Sequence, residues 1–348
     1  MKSKSLLINL GVICFLYILA IFAGFLAPHN PNFFPADNIP YAPPTQIRFS
    51  FQEGLYFHPQ SFTTNKSTFL REFQENKDKV CKLSLFVQGS EYKFWNLLAT
   101  KLHLFGSPNC PNSFHLLGTD VLGRDFLSRL LHGLRPSLFT GVLGVIIAFP
   151  LGVLYGTIAG YKSGSAGEIM MRFIEVILSL PTLYLLVVFA AILPPSLSNM
   201  QRLFLITAIL SLVGWAGLAR VVRGQVLSIR KREYVQAAYL IGESDLKIII
   251  REIVPQLSSY LIIALTLSFP SYVLGETALS FLGLGISQPD ASLGNILSEG
   301  RELSNMFLRP WLAIGPSLVI IVLTWCFNSL GDQLRDIFDP KANLQTNV

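Results

Sequence analysis

The stretch EYVQAAYLIGESDLKIII, residues 233 to 250, places charges and a central glycine between two long apolar runs, and its reading decides the fold. Tyr234, Ala237, Ala238 and Ile241 fall at i, i+3, i+4 and i+7, one face of an α-helix. Gly242 ends that helix and Glu243, Ser244 and Asp245 turn the chain. Leu246, Ile249, Ile250 and Ile253 then repeat the spacing until Pro255 closes it. The expectation is two short amphipathic helices joined at a glycine, the first with a face of small residues that admits another protein's backbone. Two uses fit this pattern: a helix laid into a partner's groove, or a pair resting on a membrane surface or on the underside of its own bundle.

Working outward, the chain is 51% hydrophobic and only 14% charged, against about 25% charged in ordinary soluble domains. Six stretches approach or exceed the roughly 18 to 20 apolar residues that a helix needs to cross a bilayer: Leu6 to Ala27, Pro136 to Gly160, Val176 to Leu193, Leu203 to Ala219, Leu257 to Gly275 and Pro310 to Gly331. The third and fourth are the shortest. The first follows Lys2 and Lys4, a basic start shared with secretory signals, but its apolar core is longer than the about 7 to 15 residues of a signal and reads as an uncleaved anchor. Lys2 and Lys4 precede span one, and Arg220, Arg223, Arg230, Lys231, Arg232, Lys247 and Arg251 crowd the segment between spans four and five. Positive-inside bias puts both on the cytoplasmic side, and six spans then place both termini there. Position between two spans makes orientation, rather than nucleic-acid binding, the account of this basic cluster, with lipid as the surrounding partner. Pro150, Pro181, Pro270 and Pro316 lie inside spans and mark expected kinks.

From Pro28 to Arg135 the composition changes. Prolines dominate its start, and CKLSLFVQGSEYKFW, residues 81 to 95, suggests a small strand pair turning at Gln88 to Ser90. Cys81 and Cys110 lie in this segment, which faces an oxidising compartment if the orientation holds, and a bridge between them is one open possibility. All five histidines, His29, His58, His103, His115 and His132, also fall here, at spacings that support no metal site. The domain reading is therefore an N-terminal anchor (1–27), an extracytoplasmic segment (28–135), a transmembrane core (136–331) with a cytoplasmic loop at 220–256, and a cytoplasmic tail (332–348).

The loop segment EYVQAAYLIGESDLKIIIREIVPQ resembles the coupling loop of permease subunits of ATP-binding-cassette importers, matching at Glu233, Tyr234, Ala237, Ala238, Gly242, Asp245, Ile253 and Pro255. Gln236, Glu252 and Gln256 depart from residues common there. HLLGTDVLGRDFLSRLLHGLRPSLFTG, residues 115 to 141, resembles the segment before the second span in the C-type permease of oligopeptide and dipeptide importers, matching at Gly118, Thr119, Asp120, Gly123, Arg124, Asp125, Ser128 and Arg129, among others. ETALSFLGLG (276–285), NSLGDQLRD (328–336) and DP (339–340) are similar to that family's C-terminal half, with Leu293 where tryptophan is usual. LFVQGSEYKFWNLLATKLHLFG (85–106) is similar to its longer members. The resemblance covers nearly the whole chain.

It implies an all-α membrane protein of six transmembrane helices, like the permeases of type I importers, with an enlarged extracytoplasmic segment, in a bacterial inner membrane. Its implied function is translocation of oligopeptides or dipeptides delivered by an external binding protein, with a B-type permease and two ATP-binding-cassette ATPases as partners. Glu233, Tyr234, Ala237, Ala238, Ile241, Gly242, Asp245 and Pro255 would couple to the ATPase, and Gly118, Thr119, Asp120, Gly123, Arg124, Asp125 and Arg129 would form an outer gate or docking surface. In that motif Thr119 or Asp120 can cap a helix start, and exposed pairs of Arg124 or Arg129 with Asp120 or Asp125 would each contribute about 0 to 1 kcal/mol. Thr207, Ser211, Trp215, Thr266 and Tyr272 either line a path or glue helices together. Glu276 is either a transport charge or a structural cap, and Arg172 is expected to pair with Glu175.

No phosphate-binding loop is present: GTIAGYKS, residues 156 to 163, has the wrong spacing. Nor is there a nucleophile–base or metal-protease motif. The chain is thus expected to be no enzyme and to carry no cofactor or metal, ATP and Mg2+ being held by partner subunits. Alternatives are a permease for nickel or another small solute, a stand-alone secondary transporter, or a membrane-bound enzyme or assembly factor.

Overall fold

The computed structural model describes residues 2–32, 39–64, 66, 71–94, 98–162 and 164–338. The DP pair, most of the expected tail and part of the 85–106 motif lie outside them. Two compact units form. One, here the helical unit, comprises Met1–Ile13, Phe139–Leu279 and Val322–Val348; the other, the mixed unit, comprises Cys14–Leu138 and Ser280–Ile321.

In chain order the elements are helices α1 (Lys2–Ile21) and α2 (Ala23–Leu26), then strands β1 (Arg48–Ser50), β2 (Gly54–Phe57), β3 (Gln60–Thr64), β4 (Arg71–Glu75), β5 (Cys81–Lys82), β6 (Ser84–Phe94) and β7 (Leu98–Gly106). Helices α3 (Phe126–Tyr161), α4 (Ser165–Ser179), α5 (Thr182–Ala191), α6 (Asn199–Ile229), α7 (Glu233–Leu240) and α8 (Asp245–Ile248) follow. The chain ends on α9 (Val254–Phe281), α10 (Leu293–Glu299), α11 (Leu303–Leu308) and α12 (Trp311–Phe338). The protein is mostly helical rather than all-α, because the segment after α2 forms strands.

Among the described residues, five helices are long and apolar enough to cross a membrane: α1, α3, α6, the run Asp245–Phe281 and α12. The expected third span is instead the pair α4 and α5, bent by 79°. Pro181 is the cause. Its ring forces the preceding Leu180 out of the helical region to φ −85° and ψ 133°, and it offers no N–H to carry the helix on. Pro150, Pro270 and Pro316 lie within continuous helices.

Lipid tails are as apolar as leucine, so membrane helices associate by close contact and hydrogen bonding. In the helical unit, Gly152, Gly156 and Gly160 form a stripe along α3 against α6. A Cβ on Gly156 would stand 2.5 Å from the Ala219 carbonyl oxygen, and those on Gly152 and Gly160 would stand 2.9 Å from the carbonyl oxygens of Trp215 and Arg223. The near-match to a phosphate loop at 156–163 thus begins inside a helix contact. Asn9, buried in α1, donates to Ser329 Oγ of α12 at 2.7 Å.

In the mixed unit, β1, β2 and β5 make a three-stranded antiparallel sheet, β3 pairs with β4, and β6 pairs with β7. The Gln88–Ser90 stretch is not the hairpin turn. It lies inside β6, where the register shifts between Gln88 and Tyr92. Cys81 and Cys110 are disulfide-bonded beside Phe57 and Phe114, whose rings lie 5.2 Å apart in a buried cluster.

Gly156→Leu is expected to lower the thermal midpoint of the detergent-solubilised protein, reflecting an overpacking cost of about 1 to 3 kcal/mol. Gly224→Ala, where nothing lies within 4 Å of the added methyl, is expected to leave it unchanged.

Candidate functional site

The charged stretch forms the turn anticipated from its glycine. After α7, Gly242 adopts φ +83°, its N–H bonds the Tyr239 carbonyl at 3.1 Å, and Glu243 N–H reaches back to the Ala238 carbonyl at 3.1 Å. This pair of bonds is a Schellman cap, which needs a left-handed residue and so favours glycine. Past the turn, the Tyr161 hydroxyl donates to Asp245 Oδ1 at 2.8 Å, and Lys247 pairs with Glu243 at 2.6 Å. The second half is not a separate helix. α8 passes through one wide π-helical turn, Ile249–Ile253, into α9, so Pro255 lies within the first turn of a long helix instead of closing a short one. The wide turn bonds Val254 N–H to the Ile249 carbonyl just before the proline, whose nitrogen has no hydrogen to give.

Of the face expected to point outward, Tyr234, Ala237 and Ile241 do so and Ala238 does not. Val235 and Ala238 point inward, into a buried cluster with Tyr161, Val222, Val226, Ile229, Ile248, Ile253 and Leu257. Glu233, Tyr234, Ala237 and Ile241 are exposed, together with Tyr239, Leu240, Leu246 and Ile250. Ile241 is 78% and Leu240 83% accessible, so an apolar ridge stands out from a helix anchored on its other side. Beside it opens a cavity of about 590 Å3 lined by Tyr161, Lys162, Arg230, Gln236, Tyr239 and Asp245, among others. A contiguous exposed apolar surface on a charged hairpin suits contact with another protein.

The second motif builds a buried polar core in the mixed unit. Asp120 Oδ2 accepts from Arg124 Nε at 2.6 Å and from Arg129 Nη1, while Asp120 Oδ1 accepts the N–H groups of Leu122 and Arg124, each at 2.8 Å. Arg129 Nη2 and Arg124 Nη2 lie 3.1 and 3.5 Å from Glu299 Oε1 at the end of α10, and Arg124 Nη2 also lies 3.3 Å from Gln288 Oε1. The side chains of Asp120, Arg124 and Arg129 are wholly inaccessible. The expected exposed pairs are therefore a buried two-cation, two-anion network, in which deleting one charge leaves another uncompensated.

Asp125 takes no part in it. Its Oδ2 accepts from Ser128 N–H at 2.8 Å and Ser128 Oγ–H at 2.6 Å, which makes Asp125, not Thr119 or Asp120, the cap of α3. Its other oxygen lies 3.0 Å from His115 Nδ1. Although burial pushes the Asp125 carboxyl up, the hydrogen bond from His115 and the neighbouring His29 hold it below its ordinary value. Thr119 Oγ1 instead ties the loop, donating to the Ile39 carbonyl and accepting from Ala42 N–H, each at 2.7 Å. Gly118, at φ +79°, sits so close to the Ile39–Ala42 segment that an added Cβ would stand 2.5 Å from the Ala42 carbonyl oxygen, and Gly123 turns the loop at φ +78°.

The sequence reading missed Glu299. Its signal was the charge balance: with Asp125 spent on capping, two buried arginines require a second acid besides Asp120. Among the expected path residues, Thr207 and Ser211 are buried in α6, each bonding the carbonyl one turn back at 2.7 Å, and Ser211 also reaches the Gly144 carbonyl of α3 at 3.3 Å. Trp215 meets Tyr155 edge to face with ring centroids 4.8 Å apart, and Thr266 bonds the Ile262 carbonyl at 2.9 Å. Tyr272 closes over Gly144 and Gly214, where added Cβ atoms would stand 2.5 and 2.6 Å from it. Ser211, Trp215 and Tyr272 thus make contacts between helices, while the Thr266 hydrogen bond stays within α9. Glu276 is buried in α9, and Arg172 pairs with Glu175 at 3.4 Å on the surface.

Asp120→Asn is expected to destabilise the mixed unit by about 3 to 5 kcal/mol, the cost of stranding buried charge, seen as a lowered thermal midpoint. Burial pushes Glu299 from 4.5 up to about 7, against the pull of Arg129. A carboxyl raised on folding binds its proton more tightly in the folded chain, so its contribution to stability falls as pH rises through that window. Thermal midpoints measured from about pH 5 to 8 are expected to lose this component of their pH dependence in Glu299→Gln.

A family described as binding-protein-dependent transport system inner membrane component matches residues 152–344. The oligopeptide transport system permease protein OppC of Haemophilus influenzae is 37% identical over 247 residues, covering 71% of this chain and 75% of that protein. The dipeptide transport system permease protein DppC of Bacillus subtilis is 41% identical over 233 residues, covering 66% and 70%. Among solved structures, a chain of the methionine ABC transporter MetNI in inward facing conformations gives a TM-score of 0.47 at 18% identity, covering 60% of this chain and 96% of that one. A likeness at that level leaves the fold to be argued from the helices themselves. Matched over more than half its length and alongside relatives of this identity, the chain belongs to the family of binding-protein-dependent transport system inner membrane components.

Proposed function

We propose that this chain is the permease subunit of an ATP-driven importer that translocates oligopeptides or dipeptides delivered by an external binding protein. Relatives bearing the names of oligopeptide and dipeptide permeases support peptides over nickel or another small solute. In this reading the partners are a B-type permease, two ATP-binding-cassette ATPases that hold ATP and Mg2+, and the binding protein. The chain itself catalyses no hydrolysis.

The single observation that carries the mechanism is the two-sided character of α7. Its outer face exposes Tyr234, Ala237, Leu240 and Ile241, while its inner face shares one buried cluster with Val222 and Val226 of α6 and Leu257 of α9. A push on the outer face is thereby delivered to two spans at once. Shifting a two-state equilibrium from 1:99 to 99:1 needs about 5.5 kcal/mol of differential binding. A helix seated in an ATPase groove, backed by a packed core, can transmit a difference of that size. The basic residues around the hairpin favour the cytoplasmic side, and the Cys81–Cys110 bond suits an oxidising compartment for the segment after α2. Both support cytoplasmic termini in a multi-pass inner membrane protein. The buried Asp120–Arg124–Arg129 network gives the outer motif a rigid frame for docking or gating.

The double variant Leu240→Asp, Ile241→Asp is expected to reduce peptide uptake at least about tenfold, a loss of about 1.4 kcal/mol or more of coupling, while the protein still reaches the membrane. ATPase subunits should no longer co-purify with it. Wild-type uptake by that variant contradicts the docking role. Ala238→Trp is expected to fail differently, by disrupting this chain's own core.

A further inference from the structure

Among the described residues, one group outside the docking hairpin brings metal-ligating atoms together: His29, His115 and Asp125 each offer one, and the three atoms lie within 4.8 Å of one another. They belong to the same unit but to distant parts of the chain, which is why their spacing in the sequence gave no sign. The rings of His29 and His115 lie 5.2 Å apart.

Each residue is held as a metal ligand would be. His29 Nε2 faces the Phe114 carbonyl oxygen at 2.7 Å. A carbonyl only accepts, so Nε2 carries the hydrogen and Nδ1 keeps its lone pair. An imidazole whose second nitrogen donates to a backbone carbonyl is the usual outer shell of a metal-bound histidine. The backbone of His115 is fixed by its N–H bond to Thr45 Oγ1 at 3.0 Å. Asp125 is buried, and its Oδ2 is occupied by Ser128, which turns Oδ1 toward His115 Nδ1.

We propose that His29, His115 and Asp125 form a binding site for one divalent transition-metal ion of the zinc class, through two imidazole nitrogens and one carboxylate oxygen. Two nitrogen donors disfavour Mg2+ and Ca2+, which take oxygen ligands. With His115 Nδ1 and Asp125 Oδ1 already 3.0 Å apart, an ion takes the place of the hydrogen between them, and the neutral His115 ring then carries its one hydrogen on Nε2. Ligand atoms on a tetrahedral ion at about 2.0 Å stand about 3.3 Å apart, so any of the three farther off closes by side-chain rotation. The bound ion would staple the chain after α2 to the start of α3. This departs from the expectation that the chain carries no metal of its own and is independent of the transport reading.

The test uses the full chain, purified without a histidine tag, stripped with chelator, loaded with Zn2+ or Co2+ alone and desalted. The proposal expects about one ion retained per chain and a visible Co2+ spectrum of nitrogen and oxygen ligation at low coordination number. His29→Gln and His115→Gln should each lose the ion, whereas His58→Gln, whose ring is held by the Lys79 carbonyl, should keep it. If the two variants fail to fold, the Co2+ spectrum of the unaltered chain decides. No retained metal, no such spectrum, or retention undiminished in folded His29→Gln and His115→Gln overturns the site.

Discussion

The inward burial of Val235 and Ala238 is the contact on which the rest of the arrangement depends. A short charged helix has little stability alone, since isolated helices under about 12 to 15 residues are marginal in water. Here α7 is held at one end by the Schellman cap at Gly242 and along one side by the cluster it shares with α6 and α9. Because that side is committed to the chain's own core, the opposite side is left apolar and uncovered. The exposed ridge is a consequence of the anchoring. The Tyr161–Asp245 hydrogen bond ties the end of α3 to the same hairpin.

Polar groups organise the structure where apolar packing alone gives little direction. Along α3, glycines bring backbone against backbone, and Thr207 and Ser211 add hydrogen bonds within and between helices. In the mixed unit, Asp120 is the hub for two arginines that also approach Glu299, so residues far apart in sequence are fixed by one balanced set of charges. Such a network adds little net stability over apolar packing, yet it tolerates few alternative arrangements.

Much of this was legible in the sequence, for physical reasons. Apolar runs reveal spans because hydrocarbon admits few charges, and Gly242 announced its turn because few other residues adopt a positive φ. The bend at Pro181 was expected as a kink and emerged as a full break, since the proline ring drives Leu180 into extended backbone and the helix stops there, the Leu180 N–H reaching the Ile177 carbonyl at 3.4 Å. Ala238 was assigned to the outer face because the i, i+3, i+4 pattern does not say which side of a short helix meets its own chain; Val235 settles that only once α6 and α9 are placed. The burial of Asp120, Arg124 and Arg129 was hidden because their partner Glu299 is remote in sequence. The β6–β7 turn was misplaced because Gly89 and Ser90 mark a register shift within a strand.

The central claim, that the outer face of α7 seats on a separate nucleotide-hydrolysing subunit inside the cell, is tested most directly by cross-linking. In native membranes, with Cys14 and Cys326 replaced by serine, Ile241→Cys is predicted to cross-link to an ATPase subunit in a nucleotide-dependent manner, and Ala238→Cys is predicted not to. Labelling of Ile241→Cys by a membrane-impermeant thiol reagent added outside intact cells, with no ATPase adduct formed, would contradict it.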